Sequence, residues 1–334
     1  MLKDLAVYSR TTVRQAGSRN NYRGKKSHYD SHLGIHAIFG SNSRTIFIPA
    51  LLVTILLTPF SAEAKKKARR TTISLPKPCK VQPLKFRKPA FRPTPGEEFS
   101  YDISAAGLYI GKVDIQVGEV QQHKGKQVIP LFGRARTASF ASAFEKFVGR
   151  TMSLVDLKDF RPIVTRVQSQ YGKDIRREHV RYSKAKPGIQ TEYRYRNRER
   201  SRKYSNRSST ILDLLSTIHY ARTLEIPENA VSCHEIYLDR RLWRMEARSL
   251  GLRSVQTLAG DKKAIAIEVE LDRLPHRDFN PRKPRPWLKG VFYYSTDQER
   301  ILLAFDIENR LAKGRGTLTR WSKNASHSRK NWRL

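Results

Sequence analysis

The chain has 334 residues, 39% of them hydrophobic and 10% aromatic, which suffices for one large or two modest domains and excludes a wholly disordered chain. Its 65 Lys and Arg against 30 Asp and Glu leave a net charge of +35, which favours anionic partners and says nothing of the fold. The two cysteines, Cys79 and Cys233, exclude a zinc site made of cysteine alone and a disulfide framework, and leave room for one bridge in an oxidising compartment.

The first 43 residues are polar and basic with no sustained periodicity, and read as a disordered extension or as the product of a start assigned too far upstream. Residues 44–64 come next, within the stretch RTIFIPALLVTILLTPFSAEAKKK. Arg44 precedes an uncharged apolar run from Ile46 to Phe60, Pro59 breaks it, and Ala62-Glu63-Ala64 supplies a small-x-small site before Lys65. The run is shorter than the ~20 apolar residues of a spanning helix, and its order of parts is that of a secretion signal cleaved after Ala64. An uncleaved inner-membrane anchor over the same residues is the alternative. The first 64 residues hold eight Lys or Arg and three Asp or Glu, so the basicity belongs to the body of the protein. Export implies the periplasm or cell envelope.

Residues 65–95 carry Pro76, Pro78, Pro83, Pro89, Pro93 and Pro95 among many Lys and Arg, and read as an extended, solvated linker. A single domain is expected over 96–322, with a basic tail at 323–334. Val113, Ile115 and Val117 alternate with polar residues, the period of a half-buried strand, and a second strand is expected over Gln127–Ala135. Phe140, Ala143, Phe144, Phe147 and Val148 stand at helical spacing before Gly149 and predict a short amphipathic helix. Strands are expected at Met152–Val155, Ile163–Tyr171, Glu178–Tyr182 and Ile189–Arg196. The stretch SSTILDLLSTIHYARTL predicts the clearest helix, capped by Thr210, with Ile211, Leu214, Leu215 and Ile218 on its apolar face. Further strands are expected at Glu235–Leu238, Leu242–Ala247, through the alternating Ile265, Ile267, Val269 and Leu271, in a hairpin turning at Thr296-Asp297-Gln298-Glu299, and from Gly314 to Trp321. Short turns between about ten neighbouring strands, with two helices, predict a mostly β fold: a curved antiparallel sheet or incomplete β-barrel packed with one or two short helices.

Catalytic patterns are sparse. There is no Gly-x-Ser-x-Gly elbow, P-loop or Gly-x-Gly-x-x-Gly motif, and the nine His show no metal-binding spacing. Cys233 and His234 are adjacent on an expected strand and point to opposite faces, so they make no nucleophile–base pair. No catalytic residue, metal or cofactor is expected. The basic runs are richer. In TEYRYRNRERSRKYSNR, Tyr193 and Tyr195 interleave with Arg194, Arg196 and Arg198, and HRDFNPRKPRPWLK adds Arg282 and Arg285. Such residues stack on and pair with anionic ligands, and are the candidate ligand-binding set. The plainer reading is an amphipathic strand, Tyr inward and Arg outward, running into a solvated basic loop.

From about Phe91 to Trp321 the chain resembles a family of bacterial exported proteins, domain of unknown function 3108. The resemblance rests on PGEEFSYDISAAGLYIGKVDIQV, on RTMSLVDLKDFRPIVTR, on ILDLLSTIHYARTL with Asp213, Ser216, Tyr220 and Arg222, and on GVFYYSTDQERILLAFDI. It implies an exported, mostly β protein with a curved antiparallel sheet, similar to periplasmic lipoprotein-carrier folds, and no established activity. Within it, Tyr101, Asp102, Asp156 and Asp297 are expected to serve turns and packing. The functional expectation is a non-enzymatic envelope protein that binds a lipid-like or anionic ligand on the curved sheet. The alternatives are an electrostatic scaffold for acidic polysaccharide or lipid head groups, and an enzyme of unrecognised type. The expected partners are anionic envelope components (lipid, lipopolysaccharide or acidic polysaccharide) and a membrane surface, not nucleic acid.

Overall fold

A computed structural model describes residues 84–88, 91–143, 146–183, 188–196, 198–205, 211–274, 288–308 and 313–323. The extension, the signal with Ala62 and Ala64, Cys79, Thr210, Arg282, Arg285 and residues 324–334 of the tail lie outside them. Sixteen strands form one sheet among the described residues: β1 Glu98–Ala105, β2 Leu108–Val117, β3 Gln121–His123, β4 Lys126–Thr137, β5 Phe147–Asp156, β6 Pro162–Tyr171, β7 Asp174–Ser183, β8 Gly188–Tyr195, β9 Arg198–Ser205, β10 Ile211–Leu212, β11 Val231–Leu238, β12 Arg241–Thr257, β13 Gly260–Arg273, β14 Leu288–Ser295, β15 Leu302–Glu308 and β16 Lys313–Ser322. One α-helix, α1 (Leu214–Thr223), lies between β10 and β11.

The strand order is β10-β11-β12-β13-β14-β15-β16-β1-β2-β4-β5-β6-β7-β8-β9, with β3 paired to β4. Every pairing is antiparallel except β10 with β11. The last strand pairs with the first, Tyr101 opposite Leu318, so the two ends of the domain meet in the middle of the sheet. The free edges are β9 and β10, and these are consecutive in the chain. Ser205 and Ile211 are six residues apart, which spans at most about 22 Å. The sheet therefore has to curl until its edges approach. It is a barrel-like wall whose edges exchange no backbone ladder, and side chains cross the gap. Tyr204 on β9 donates its hydroxyl to the Arg240 carbonyl at 3.3 Å, and its ring meets that of Tyr237 on β11 edge-on at 6.2 Å.

Inside the wall lies α1, held at both ends. Asp213 is its N-cap and completes a reciprocal capping box with Ser216: Ser216 N–H donates to Asp213 Oδ1 at 2.7 Å, and Asp213 N–H donates to Ser216 Oγ at 2.9 Å. The other carboxylate oxygen accepts from Ser153 Oγ on β5 and from Thr165 Oγ1 on β6. At the far end Arg222 reaches Glu97, and the Tyr294 hydroxyl of β14 donates to the Ile218 carbonyl at 3.3 Å. Leu215 packs against Gly133 of β4, where a Cβ would meet Leu215 at 3.1 Å and Thr151 at 2.8 Å. Glycine there lets the helix approach the sheet.

Several expectations are corrected. Among the described residues there are about sixteen strands rather than ten, and one α-helix. The expected helix at Phe140–Val148 is a short 3-10 turn, Ala141–Ala143, followed by β5, in which Phe147 pairs with Tyr171 and their rings lie 4.9 Å apart. Ile211 and Leu212 do not begin the helix but form β10, because the cap is Asp213. The basic loop expected after Arg196 is β9. Phe86, within the expected linker, bridges Leu224, and its ring meets Tyr220 edge-on at 6.2 Å. Among the described residues no helix is long and apolar enough to cross a membrane.

Candidate functional site: a cavity beside the inner helix

Side chains alternate across a strand, so the register decides what faces the helix. On several strands some inward positions are small: Gly133 and Ala135 on β4, Gly149 and Thr151 on β5, Ser169 on β6, Ala247 and Ser249 on β12, Gly290 on β14. Against them α1 presents Leu214, Ile218 and Ala221. The wall and the helix do not fill the space between them, and a cavity of about 270 Å³ remains, bounded mainly by apolar groups such as Val113, Ile115, Val167, Ile267, Val269 and Phe292. Its volume is at the lower edge of the ~300–1,000 Å³ usual for small-molecule sites.

Several polar groups around the cavity are engaged, while Arg134 Nε and Arg176 Nε are buried without a hydrogen-bond partner. Asp213 is fixed by three donors. His234 faces the cavity from β11 with its ring edge-on to Tyr220 at 5.3 Å. Burial, aided by the Arg161 charge, lowers its pKa to about 4, so its imidazole is neutral near neutral pH. Deeper in, burial and the adjacent Arg222 hold the His219 pKa well below the usual imidazole value. Among the described residues no group of three or more His, Cys, Asp or Glu is placed to hold a metal.

One end of the cavity is different. Glu178, Tyr193, Tyr237 and Arg240 line both the cavity and a second hollow of about 100 Å³, which Thr191, Arg200, Arg202 and Arg241 complete. This hollow sits at the seam where the sheet edges approach. Tyr237 donates its hydroxyl to Glu178 Oε1, and the Arg240 guanidinium lies 4.7 Å from the centre of the Tyr193 ring. Desolvation pushes the Glu178 pKa up to about 7, against the pull of the Tyr237 hydroxyl and of Arg240 and Arg202.

That shift has a sign. Between the ordinary value near 4.5 and about 7, Glu178 is protonated in the folded state and ionised in the unfolded one. Stability therefore falls as pH rises through this window and is level above it. Glu178→Gln keeps an acceptor for Tyr237 and removes the charge. We expect it to stabilise the protein by about 1–3 kcal/mol at pH above 7 and by little near pH 5, given about 1.4 kcal/mol per tenfold. Urea unfolding at the two pH values reads this, and an equal difference at both would refute it.

The sequence-derived candidates divide between the two faces of the sheet. Tyr193 faces inward and lines both hollows. Tyr195 is on the same face, where its hydroxyl donates to Asp174 Oδ2 at 2.9 Å and Arg176 lies 5.1 Å from its ring centre. Arg194 is on the outer face and pairs with Glu199. Arg196 pairs with Asp174 at 3.1 Å and lies over Tyr195. Arg198 opposes Tyr195 on β9 and is exposed. Arg282 and Arg285 lie outside the described residues. The structure adds Glu178, Arg200, Arg202, Tyr237, Arg240 and Arg241. Cys233 carries no free thiol, and Cys79 lies outside the described residues.

Of the residues expected to serve turns and packing, Asp156, Asp297 and Tyr101 do so, whereas Asp102 lies mid-strand in β1 opposite Lys112 and Thr317. Asp156 Oδ1 accepts from Lys158 N–H at 2.9 Å, Asp297 Oδ1 accepts from Ser295 Oγ at 2.8 Å and from Arg300 N–H at 3.0 Å, and the Tyr101 hydroxyl donates to the Leu302 carbonyl at 2.9 Å.

The family model described as "Protein of unknown function (DUF3108)" matches residues 100–314, more than half of the chain. A search of curated proteins finds no match. Among solved structures, the chain is similar to a beta-barrel-like protein of domain of unknown function DUF1849 from Brucella abortus, with 10% identity, 70% of this chain and 99% of that chain covered, and a TM-score of 0.47. It is also similar to a Bacteroides fragilis protein of YmcC-like fold termed exported, with 9% identity, 70% and 98% covered, and a TM-score of 0.32. A Parabacteroides distasonis protein termed a lipoprotein shows 12% identity, 72% and 100% covered, and a TM-score of 0.32.

Proposed function

We propose, for a chain that belongs to the DUF3108 family of proteins of unknown function, that it is an exported, non-enzymatic envelope protein that holds one apolar chain of a lipid-like ligand inside its curled sheet. The observation that carries this reading is the cavity of about 270 Å³ between α1 and the small inward residues of β4, β5, β6 and β12. A well-packed interior leaves few voids larger than a water. Here the wall has Gly, Ala, Ser and Thr at several positions where a closed core would place Leu or Phe. Export is supported by the order of basic residue, apolar run and Ala-x-Ala site in residues 44–64. A non-enzymatic role is supported by the use of the interior polar groups: Asp213, Arg222 and Glu97 all fasten the helix.

The test is the lipid that the protein carries. Full-length protein expressed for export in a Gram-negative host, purified without denaturant and extracted with organic solvent, is expected to yield close to one single-chain amphiphile per protein by mass spectrometry. Ala135→Phe, on the inner face of β4 beside Gly149, fills the cavity. It is expected to cut the carried lipid by about tenfold or more while the unfolding midpoint changes little, since the added ring occupies empty space. Lipid content equal in both proteins, or absent from both, would refute the reading.

One observation favours the electrostatic scaffold as a second reading. Arg134, Arg150, Arg177 and Arg194 occupy paired positions in one outer row across β4, β5, β7 and β8, with Gln168 of β6 between Arg150 and Arg177. A surface row of this kind binds anionic polymers or head groups in a manner that salt screens over about 8 Å at physiological ionic strength. Ligand in the cavity survives high salt, and ligand on the row does not.

A further inference from the structure

We propose that the seam hollow is a binding site for an anionic head group, a terminal carboxylate or phosphate monoester, on the chain held in the cavity. This rests on the cavity reading above.

The register carries the first part. On β8 and β9, Thr191 opposes Arg202 and Tyr193 opposes Arg200, so both arginines share the inner face with Tyr193. Neither makes an ion pair among the described residues, whereas their outward neighbours Arg194 and Glu199 pair with each other. The opposite side of the seam supplies Arg240 from the β11–β12 turn and Arg241 from the start of β12, and in that turn Asp239 and Arg240 both take left-handed backbone conformations, φ 46° and 59°. A strained two-residue turn without glycine costs stability and is the kind of local strain found at ligand sites.

The second part is charge. Four guanidinium groups, Arg200, Arg202, Arg240 and Arg241, converge on a hollow of about 100 Å³ whose nearby acids are Asp239 and Glu178. The charges do not balance, and an anion would balance them. The Arg240 guanidinium lies over the Tyr193 ring and its Nε stands 3.8 Å from Asp239 Oδ1, so the ligand would meet its terminal nitrogens. The third part is continuity. Glu178, Tyr193, Tyr237 and Arg240 line both hollows, so a chain in the cavity can end at the seam. The groups facing Glu178 are Tyr193 from β8, Arg200 and Arg202 from β9, Tyr237 from β11, Asp239 and Arg240 from the turn, and Arg241 from the start of β12. When protonated, Glu178 adds a donor to this set and no opposing charge.

The experiment is calorimetric titration of the full-length protein with dodecanoate, dodecyl phosphate, the uncharged dodecanol and inorganic phosphate. Each is repeated on Arg200→Gln/Arg202→Gln, whose changes lie on the exposed edge strand. The two anionic amphiphiles are expected to bind the native protein about tenfold or more tightly than dodecanol, as charge-assisted hydrogen bonds allow. The double variant is expected to lose that preference while its dodecanol affinity and unfolding curve stay as they were. Equal affinity for all three amphiphiles, or a preference that survives in the variant, would overturn the seam assignment. Inorganic phosphate binding as tightly as dodecyl phosphate would overturn it in favour of a free-anion site. Failure of the cavity reading looks different: none of the three amphiphiles binds at all.

Discussion

Replacing Arg222 by methionine is expected to cost the fold about 3–5 kcal/mol. The Arg222 and Glu97 side chains are 1% and 0% exposed and form a two-pronged pair: Nη1 and Nη2 each donate to a carboxylate oxygen at 2.8 Å. Arg222 Nε donates to the Glu299 carbonyl at 3.1 Å, Trp321 Nε1 donates to Glu97 at 3.1 Å, and the guanidinium lies 4.5 Å from the centre of the Phe91 ring. The pair joins the end of α1 to the start of β1, to the β14–β15 turn and to β16. Methionine fills the volume but leaves Glu97 buried without its cation. Urea unfolding should show the loss as a lowered midpoint. Arg222→Met combined with Glu97→Gln removes the stranded charge and keeps an acceptor for Trp321, so most of the stability should return. A single variant within about 1 kcal/mol of the native protein would show that the pair is not what fastens the helix.

The strands that the sequence announced are those whose two faces differ. Val113, Ile115 and Val117 on β2, and Ile265, Ile267, Val269 and Leu271 on β13, alternate because one face meets the core. β7 announced only its second half, Glu178–Tyr182, and β9 did not announce itself. Asp174–Ser183 and Arg198–Ser205 carry charge on both faces, β9 as the sheet edge and β7 close to it, so no period of two stands out against the arginines. The false helix at Phe140–Val148 arose because the end of a turn and the start of a strand happened to place aromatic residues three and four apart. Phe140 is exposed, whereas Phe147 is buried against Tyr171. The displaced start of α1 has a similar cause: Ile211 and Leu212 match the helical face, but Asp213 caps only the turn that begins at Leu214.

The candidate site was legible in half. Interleaved Tyr and Arg pointed to β8, and Tyr193 is where the cavity meets the seam. Which arginines accompany it depends on the pairing of β8 with β9. A strand read as a loop has no register, so Arg194 and Arg196 stood out, though both are paired in ordinary ion pairs on the exposed surface. Arg240, Arg241 and Tyr237 come from the other side of the seam, and only the curl of the whole wall brings them to Tyr193.

The other end of α1 supplies the second large effect. Asp213→Ala is expected to destabilise the protein by about 3–4 kcal/mol, of which about 1 is the lost cap. The rest comes from the donors that the carboxylate leaves behind. Ser153 Oγ and Thr165 Oγ1 are buried, and the Ser216 N–H is one of the donors that no helical carbonyl can satisfy. Each donor left unmet in a dry site costs about 1–3 kcal/mol, and the hydroxyls recover part of that by rotating. Asp213→Asn keeps the acceptor facing Ser216 and turns an amide toward two hydroxyls that can accept, so its cost should be about half as large. Because Leu214 and Ile218 next to this cap line the cavity, the alanine variant should also lose bound amphiphile, which the Ser153→Ala variant, with its single contact, should largely retain. Unfolding midpoints and amide exchange at Ser216 and Thr217 read the two effects separately. If Asp213→Ala unfolds like the native protein, the helix is held by packing alone, and the cavity beside it does not depend on this anchor.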